Sequence, residues 1–265
     1  MINYFEAIIL GIIQGITEFL PISSSGHLIL GRTFFEIDSS GTGSFIEVFL
    51  HGGTLLSILF FWKKDLLDSF KTIAKGDFKL LYSIIIATIP AAIIGLFFKN
   101  KINNYFFDIN NTVYLPFSYL ILSVVLFLTK YKFKNHDNYN KVIYQFAFII
   151  GLAQCFAIIP GISRSGMTIS IAILLGINKK IATKFSFLLA IPILTFSFFD
   201  SIKENFSILI HVSSSLPLFF GFISSFLTGY FVIAVLVKMI EQKRLWYFSI
   251  YCFLLSIMLG YYNGV

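Results

Sequence analysis

Charge is what this sequence has least of. Asp, Glu, Lys and Arg together supply 12% of the 265 residues, about half of the roughly 25% usual in a soluble domain. That scarcity argues against an ordinary water-soluble globule. Arginine is scarcer still: of twenty basic residues only Arg32, Arg164 and Arg244 are not lysine. The net charge of +7 is not a nucleic-acid footprint, because the lysines stand in short segments between apolar blocks, as topology signals and headgroup contacts do. There are two cysteines, Cys155 and Cys252, each inside an apolar block, so neither a disulfide framework nor a CxxC metal site is expected. The N-terminus has no basic n-region and no A-x-A-like cleavage site, and is not read as a removed signal peptide. What abounds is apolar sequence: 57% of the chain, with 33 phenylalanines and a mean hydropathy of +0.85. The fold class expected is an all-α polytopic membrane protein in one domain spanning 1–265.

Two polar, glycine-rich phrases interrupt this apolar background. The first is GIIQGITEFLPISSSGH (11–27) and the second GLAQCFAIIPGISRSGM (151–167). Gly11 and Gly151, Gln14 and Gln154, Ser25 and Ser165, and Gly26 and Gly166 are each 140 positions apart, with a one-residue slip at Pro21 and Pro160. This marks an internal duplication, with repeat one over about 1–130 and repeat two over about 141–265. Ionisable and hydroxyl groups inside membrane segments are costly and mark function.

Six apolar blocks have the length for a membrane core of about 30 Å: 45–62, 81–98, 112–129, 184–200, 216–238 and 246–262. The motif regions, 4–33 and 143–177, each consist of two shorter halves around a Pro and Ser/Gly break. Lysine counting sets their topology. If 143–177 dips in and returns, fifteen Lys/Arg in loops 63–79, 130–141, 178–184 and 238–244 share one face, against four (Arg32, Lys99, Lys101 and Lys203) on the other. If it crosses once, the tally is ten against nine. Only the re-entrant arrangement yields a positive-inside bias. The expectation is therefore six transmembrane helices plus two re-entrant helical hairpins in an inverted-topology repeat. The lysine-rich loops are then cytoplasmic and both termini outside. Inverted repeats of this kind bring broken segments together near the midplane.

The chemistry expected there follows from residue types. Gln14 and Glu18 stack at i, i+4. Ser23, Ser24, Ser25 and Gly26 follow a proline, which breaks one helix and caps the next, exposing a helix N-terminus suited to an anion. His27 is a candidate base for a serine or a water. Ser163, Arg164, Ser165, Gly166 and Thr168 offer a second cap and a guanidinium, which binds phosphate in bidentate fashion and stays charged. Flanking glycines would let a phosphate reach the backbone. The set suits hydrolysis of a phosphate ester or anhydride on an amphiphilic substrate, through positioning and charge neutralisation.

QGITEFLPISSSGH and PGISRSGMTI resemble the two signature motifs of the bacterial undecaprenyl-diphosphatases, the bacitracin-resistance phosphatases. FIEVFLHGGTLLSILFFWKK (45–64) and KFSFLLAIPILTFSFFD (184–200) extend the resemblance over most of the chain. It implies removal of the terminal phosphate from undecaprenyl diphosphate at the plasma membrane, yielding the lipid carrier for cell-wall synthesis. It also implies bacitracin resistance and a divalent cation, Mg²⁺ or Ca²⁺. Position by position, the resemblance makes Ser24 and His27 nucleophile and base, Glu18 the carboxylate and Arg164 the phosphate-binding cation. Gln14, Ser23, Ser25, Ser163, Ser165, Gly166 and Thr168 would line the substrate. Many members carry Glu where Gln14 stands, so a two-carboxylate metal site is reduced here to Glu18 with an amide. Others carry Gln where His51 stands, which argues against His51 as an essential catalyst. The partners implied are a polyprenyl diphosphate and membrane lipids, without nucleic acid, and a homodimer stays open.

Blander assignments stand beside these. Ser23–Ser25 could be only a capped break, Glu18 and His27 a structural pair, and Arg164 a snorkelling anchor. His51 is balanced between cavity lining and helix packing. His136 and His211 are expected in solvated loops, Glu6 at an interface, Asp200 with Lys203 at a helix end, and Gly95, Gly221 and Gly229 at close helix contacts. A secondary transporter or lipid flippase is the alternative function: it would need Arg164 and the helix ends, but not Ser24 with His27.

Overall fold

The computed structural model describes residues 2–37, 43–106, 112–131, 139–206 and 212–264; His136 and His211 lie outside them. The described residues form eleven helices and no strand. They are α1 (Tyr4–Phe19), α2 (Ser24–Phe34), α3 (Gly43–Phe61), α4 (Lys63–Ala74), α5 (Lys79–Phe106), α6 (Leu115–Leu128), α7 (Tyr139–Phe156), α8 (Arg164–Leu174), α9 (Lys179–Glu204), α10 (Val212–Glu241) and α11 (Tyr247–Asn263).

Each of the six apolar blocks is a helix. Three of them, within α5, α9 and α10, are long and apolar enough to cross a membrane by themselves. α6 and α11 have 14 and 17 residues, shorter than the roughly 20 of a full crossing. α3 continues into α4 after a bend of 71°. The segment 63–79, expected as a loop, therefore holds a helix. α4 buries no residue, and Leu67 and Phe70 face outward, so it is an amphipathic surface helix whose period was masked by its lysines. The lysines of 178–184 likewise belong to the first turns of α9, capped by Asn178. At the start of the chain, Asn3 and Glu6 form a capping box for α1.

The motif regions are broken helices, as their proline and Ser/Gly content predicts. Gly31 of α2 faces Leu10 and Ile13 of α1, so α1 and α2 fold back on each other as a hairpin. Ala153, Ile162 and Met167 pack together in the same way where α7 meets α8. Each hairpin leans on a long helix from the other half: α1 on α10, and α7 on α5. Gly11 makes this approach possible, since a Cβ there would strike the Gly221 carbonyl; at Gly151, 140 residues on, it would strike the backbone of Ala87. α3 packs on α9 and α6 on α11, with Ser256 Oγ donating to the Pro116 carbonyl at 2.6 Å.

Gly221 and Gly229 sit at close contacts, against Ala7 and Leu50 and against Phe19 and Ser57 respectively. Gly95 does not: a Cβ there meets nothing within 4 Å. This difference is testable. At Gly15 a Cβ would lie 2.7 Å from the Ser225 carbonyl and 2.8 Å from the Gly229 nitrogen. Gly15→Ala should therefore destabilise by about 1–3 kcal/mol, the usual cost of overpacking. Gly95→Ala should gain up to about 1 kcal/mol of helix propensity. Thermal unfolding of the two variants in detergent should move in opposite directions.

Arg32 is not the loop charge the topology count took it for. Its guanidinium is 2.9 Å from Glu47 Oε1, with side-chain exposures of 2% and 3%. This buried pair ties α2 to α3.

Candidate active site

The two hairpin tips interlock. Ser23 adopts φ 68°, ψ 104°, a left-handed conformation that costs a non-glycine residue about 1–3 kcal/mol. The cost is met by the contacts it permits. Its Oγ accepts from the Gly161 N–H at 3.0 Å and the Gly26 N–H at 3.4 Å, and its carbonyl accepts from His27 Nδ1 at 2.7 Å. From the other tip, Ser165 Oγ donates to the Phe19 carbonyl at 3.1 Å. Ser163 caps α8 by accepting from the Gly166 N–H at 3.1 Å. The N-termini of α2 and α8 thus meet, and the first-turn N–H groups of residues 24, 25, 164 and 165 have no intrahelical partner.

Glu18, at the end of α1, is the hub. Its Oε2 accepts from Ser24 Oγ at 2.6 Å and Gln14 Nε2 at 3.2 Å, and lies 3.2 Å from His51 Nε2. Its Oε1 accepts from Arg164 Nη2 at 2.6 Å. Arg164 Nη1 also donates to the Ser186 carbonyl at 3.4 Å, and Ser186 Oγ is 2.6 Å from Thr168 Oγ1. Ser24, Ser25, His27 and Arg164 are partly exposed, while Gln14, Glu18, Ser23, Ser163, Ser165, Gly166 and Thr168 are buried. Clefts of about 650 and 640 Å³ lie elsewhere, between α4, α9 and α10 and between α5 and α7, and no site residue lines either.

Several expectations change accordingly. Ser24 is bonded to Glu18 rather than to His27. His27 donates from Nδ1 to Ser23 O and accepts at Nε2 from Tyr251 OH at 2.6 Å, with Tyr119 OH 3.1 Å from Nδ1. Both of its ring nitrogens are engaged away from Ser24. Glu18 pairs with Arg164 and His51, not with His27. The missing Cβ atoms of Gly26 and Gly166 leave space for Tyr119 and for Leu122 and Pro21. Ser23, Ser163, Ser165 and Thr168 are buried and make hydrogen bonds within the protein. His51, balanced in the sequence between cavity lining and helix packing, faces Glu18. The available signal was Glu47-x-x-x-His51 in an apolar block, but nothing local says that α3 packs beside α1.

Among the described residues no group of three His, Cys, Asp or Glu side chains could hold a metal. One observation does fit a cation shared with a ligand: Gln14 Oε1 is buried without a hydrogen-bond partner, on the same side chain that donates to Glu18.

A hydroxyl on a carboxylate, a guanidinium and two helix N-termini, set among apolar helices, form a site in a membrane protein with groups of the kind that bind an anion. The comparisons agree. The chain matches the family described as bacitracin resistance protein BacA over residues 7–258, and it belongs to that family. It is 38% identical to an undecaprenyl-diphosphatase of Christiangramia forsetii over 263 residues, covering 96% of each chain. It is also 38% identical to that of Methanococcus vannielii, covering 97% of this chain and 99% of the relative. Identity to an undecaprenyl-diphosphatase 4 of Bacillus cereus is 37%, with 97% and 96% covered.

Proposed function

We propose that the protein is an enzyme that hydrolyses undecaprenyl diphosphate to undecaprenyl phosphate and inorganic phosphate, recycling the lipid carrier and opposing bacitracin. The observation that carries this is Glu18 held between Ser24 Oγ and Arg164 Nη2, each at 2.6 Å. Transport or flipping of a lipid anion has use for Arg164 but none for a serine bonded to a carboxylate.

In this mechanism the terminal phosphate takes over the Arg164 guanidinium and the free N–H groups of α2 and α8, which pre-organise its negative charge. As Arg164 turns to the phosphate, Glu18 is released from it and stays bonded to Ser24. Ser24 Oγ attacks the terminal phosphorus while its proton passes to Glu18 Oε2, the bridging P–O bond breaks, and undecaprenyl phosphate leaves. Water then attacks the phosphoserine, dihydrogen phosphate departs, and Glu18 returns the proton to Ser24. A divalent cation, Mg²⁺ or Ca²⁺, would be held by Glu18 and the Gln14 carboxamide oxygen and would neutralise diphosphate charge when bound. The back-folded hairpins, their exchanged partners α10 and α5, and the lysine distribution support an inverted pair of re-entrant hairpins, with the phosphate processed near the outer leaflet.

Purified protein in detergent with undecaprenyl diphosphate and Mg²⁺ should release phosphate well above an Arg164→Ala control. Ser24→Ala should abolish turnover, and acid quenching of the wild type should trap phosphoserine at position 24. Turnover surviving in Ser24→Ala would replace the covalent route with direct attack by water.

A further inference from the structure

α4 has no part in the steps above, and its side chains are sorted into three rows. It buries no residue and turns 71° away from α3, the apolar helix before it. Leu66, Leu67, Phe70, Ile73 and Ala74 stand at i, i+1, i+4, i+7 and i+8, one apolar stripe of helical period. A water-soluble protein would turn that stripe inward. Here the polar side faces the body instead: Asp65, Asp68, Ser69 and Thr72, with Ile73 at their edge, line the cleft of about 650 Å³ against α9 and α10. Asp65 fixes this roll of the helix by accepting from Lys184 of α9 at 2.5 Å. Leu67 and Phe70 point away from the protein, with exposures of 58% and 66%. Lys64, Lys71 and Lys75, at i, i+7 and i+11, form the third row beside the stripe, and all three are exposed. Of these, Lys71 makes a loose contact with Asp68 at 3.4 Å, both side chains about three-quarters exposed.

We propose that α4 is a membrane-surface anchor, its Leu67 and Phe70 stripe entering the acyl-chain boundary while Lys64, Lys71 and Lys75 bind the headgroup phosphates of anionic phospholipids. The arrangement fits a lipid surface rather than a protein partner. The helix leaves the end of an apolar helix at a steep angle, with Trp62 at the bend, and aromatic residues gather at the headgroup level. An apolar row flanked by a basic row is the pattern of a helix lying in the interface plane. Charge decides which lipid. Each lysine held at an anionic surface adds about a fivefold preference for it, and the neighbouring Asp68 removes part of the total. Under the positive-inside arrangement the leaflet concerned is the cytoplasmic one. None of this depends on the phosphatase assignment.

Two measurements on the full chain test the stripe and the lysine row separately. Nitroxide labels are placed singly by Leu67→Cys, Phe70→Cys and Thr72→Cys in a Cys155→Ala/Cys252→Ala background, in vesicles containing phosphatidylglycerol and phosphatidylcholine. By EPR, labels at 67 and 70 should collide with oxygen more than with a water-soluble nickel chelate, and the label at 72 should do the reverse. Labels at 67 and 70 that favour the nickel chelate overturn the anchor, and labels there shielded from both reagents replace the lipid with a protein cover. In native mass spectrometry the wild type should bind phosphatidylglycerol at least about tenfold more tightly than phosphatidylcholine. Lys64→Gln/Lys71→Gln/Lys75→Gln should lose most of that preference, whereas Lys203→Gln/Lys238→Gln/Lys243→Gln, which removes equal charge elsewhere, should keep it. Equal losses in the two triple variants would refute a headgroup site on α4.

Discussion

Glu18→Gln should lower kcat by about 100- to 10,000-fold, the range attributable to one proton-transfer group, while the protein still inserts and folds. The carboxylate holds three parts of the site at once: the Ser24 hydroxyl and the His51 ring on one oxygen and the Arg164 guanidinium on the other. An amide keeps the shape but has one acceptor oxygen, so it serves Arg164 or Ser24 but not both, and it takes no proton. Phosphate release in detergent, compared at saturating and limiting substrate, separates the two losses. Because Arg164 becomes free to meet the phosphate, KM should hold or fall while kcat collapses, the pattern of a lost transition-state interaction. Glu18→Asp, shorter by one methylene, keeps the charge but not the reach, and should lie between. A Glu18→Gln enzyme with nearly normal kcat would remove Glu18 as the base and return that role to another group.

The second large effect concerns stability. Arg32→Met should destabilise the protein by about 3–5 kcal/mol, because it leaves the Glu47 carboxylate buried without its cation. Both partners are almost completely enclosed, so water screens little of this. The double variant Arg32→Met/Glu47→Leu removes both charges and fills the space with apolar atoms. It should recover most of the loss, and buried ion pairs replaced in this way often become more stable. Thermal or denaturant unfolding in one detergent, with the double-mutant cycle completed by Glu47→Leu, measures the coupling directly. Coupling near zero would mean that α2 and α3 are held by their apolar contacts alone. Since Glu47 also fixes the His51 ring through its backbone carbonyl, the cycle further tests whether the pair supports the site: Arg32→Met should lower kcat beyond what loss of folded protein explains.

Much of this was legible in the residues alone. Apolar block length and lysine placement named the class and located every long helix, because a span must satisfy its own backbone and therefore shows itself locally. The two broken phrases revealed the hairpins, because proline and Ser/Gly runs cannot continue a helix. Ser24, Arg164 and Glu18 stood out as polar groups in apolar surroundings, and the structure brings all three into one hydrogen-bonded cluster.

What tertiary structure decided was who faces whom. Ser24 and His27 are three apart on one helix, which made them look like a pair; Tyr119 of α6 and Tyr251 of α11 bond the imidazole instead and turn it away. Glu18 and Arg164 are 146 positions apart, the Arg32–Glu47 pair joins α2 to α3, and His51 reaches Glu18 only because α3 packs on α1. Periodicity and composition register the free energy of a segment in water or lipid. The partner of a buried charge is set by contacts between distant segments, and no local pattern in the sequence carries that information.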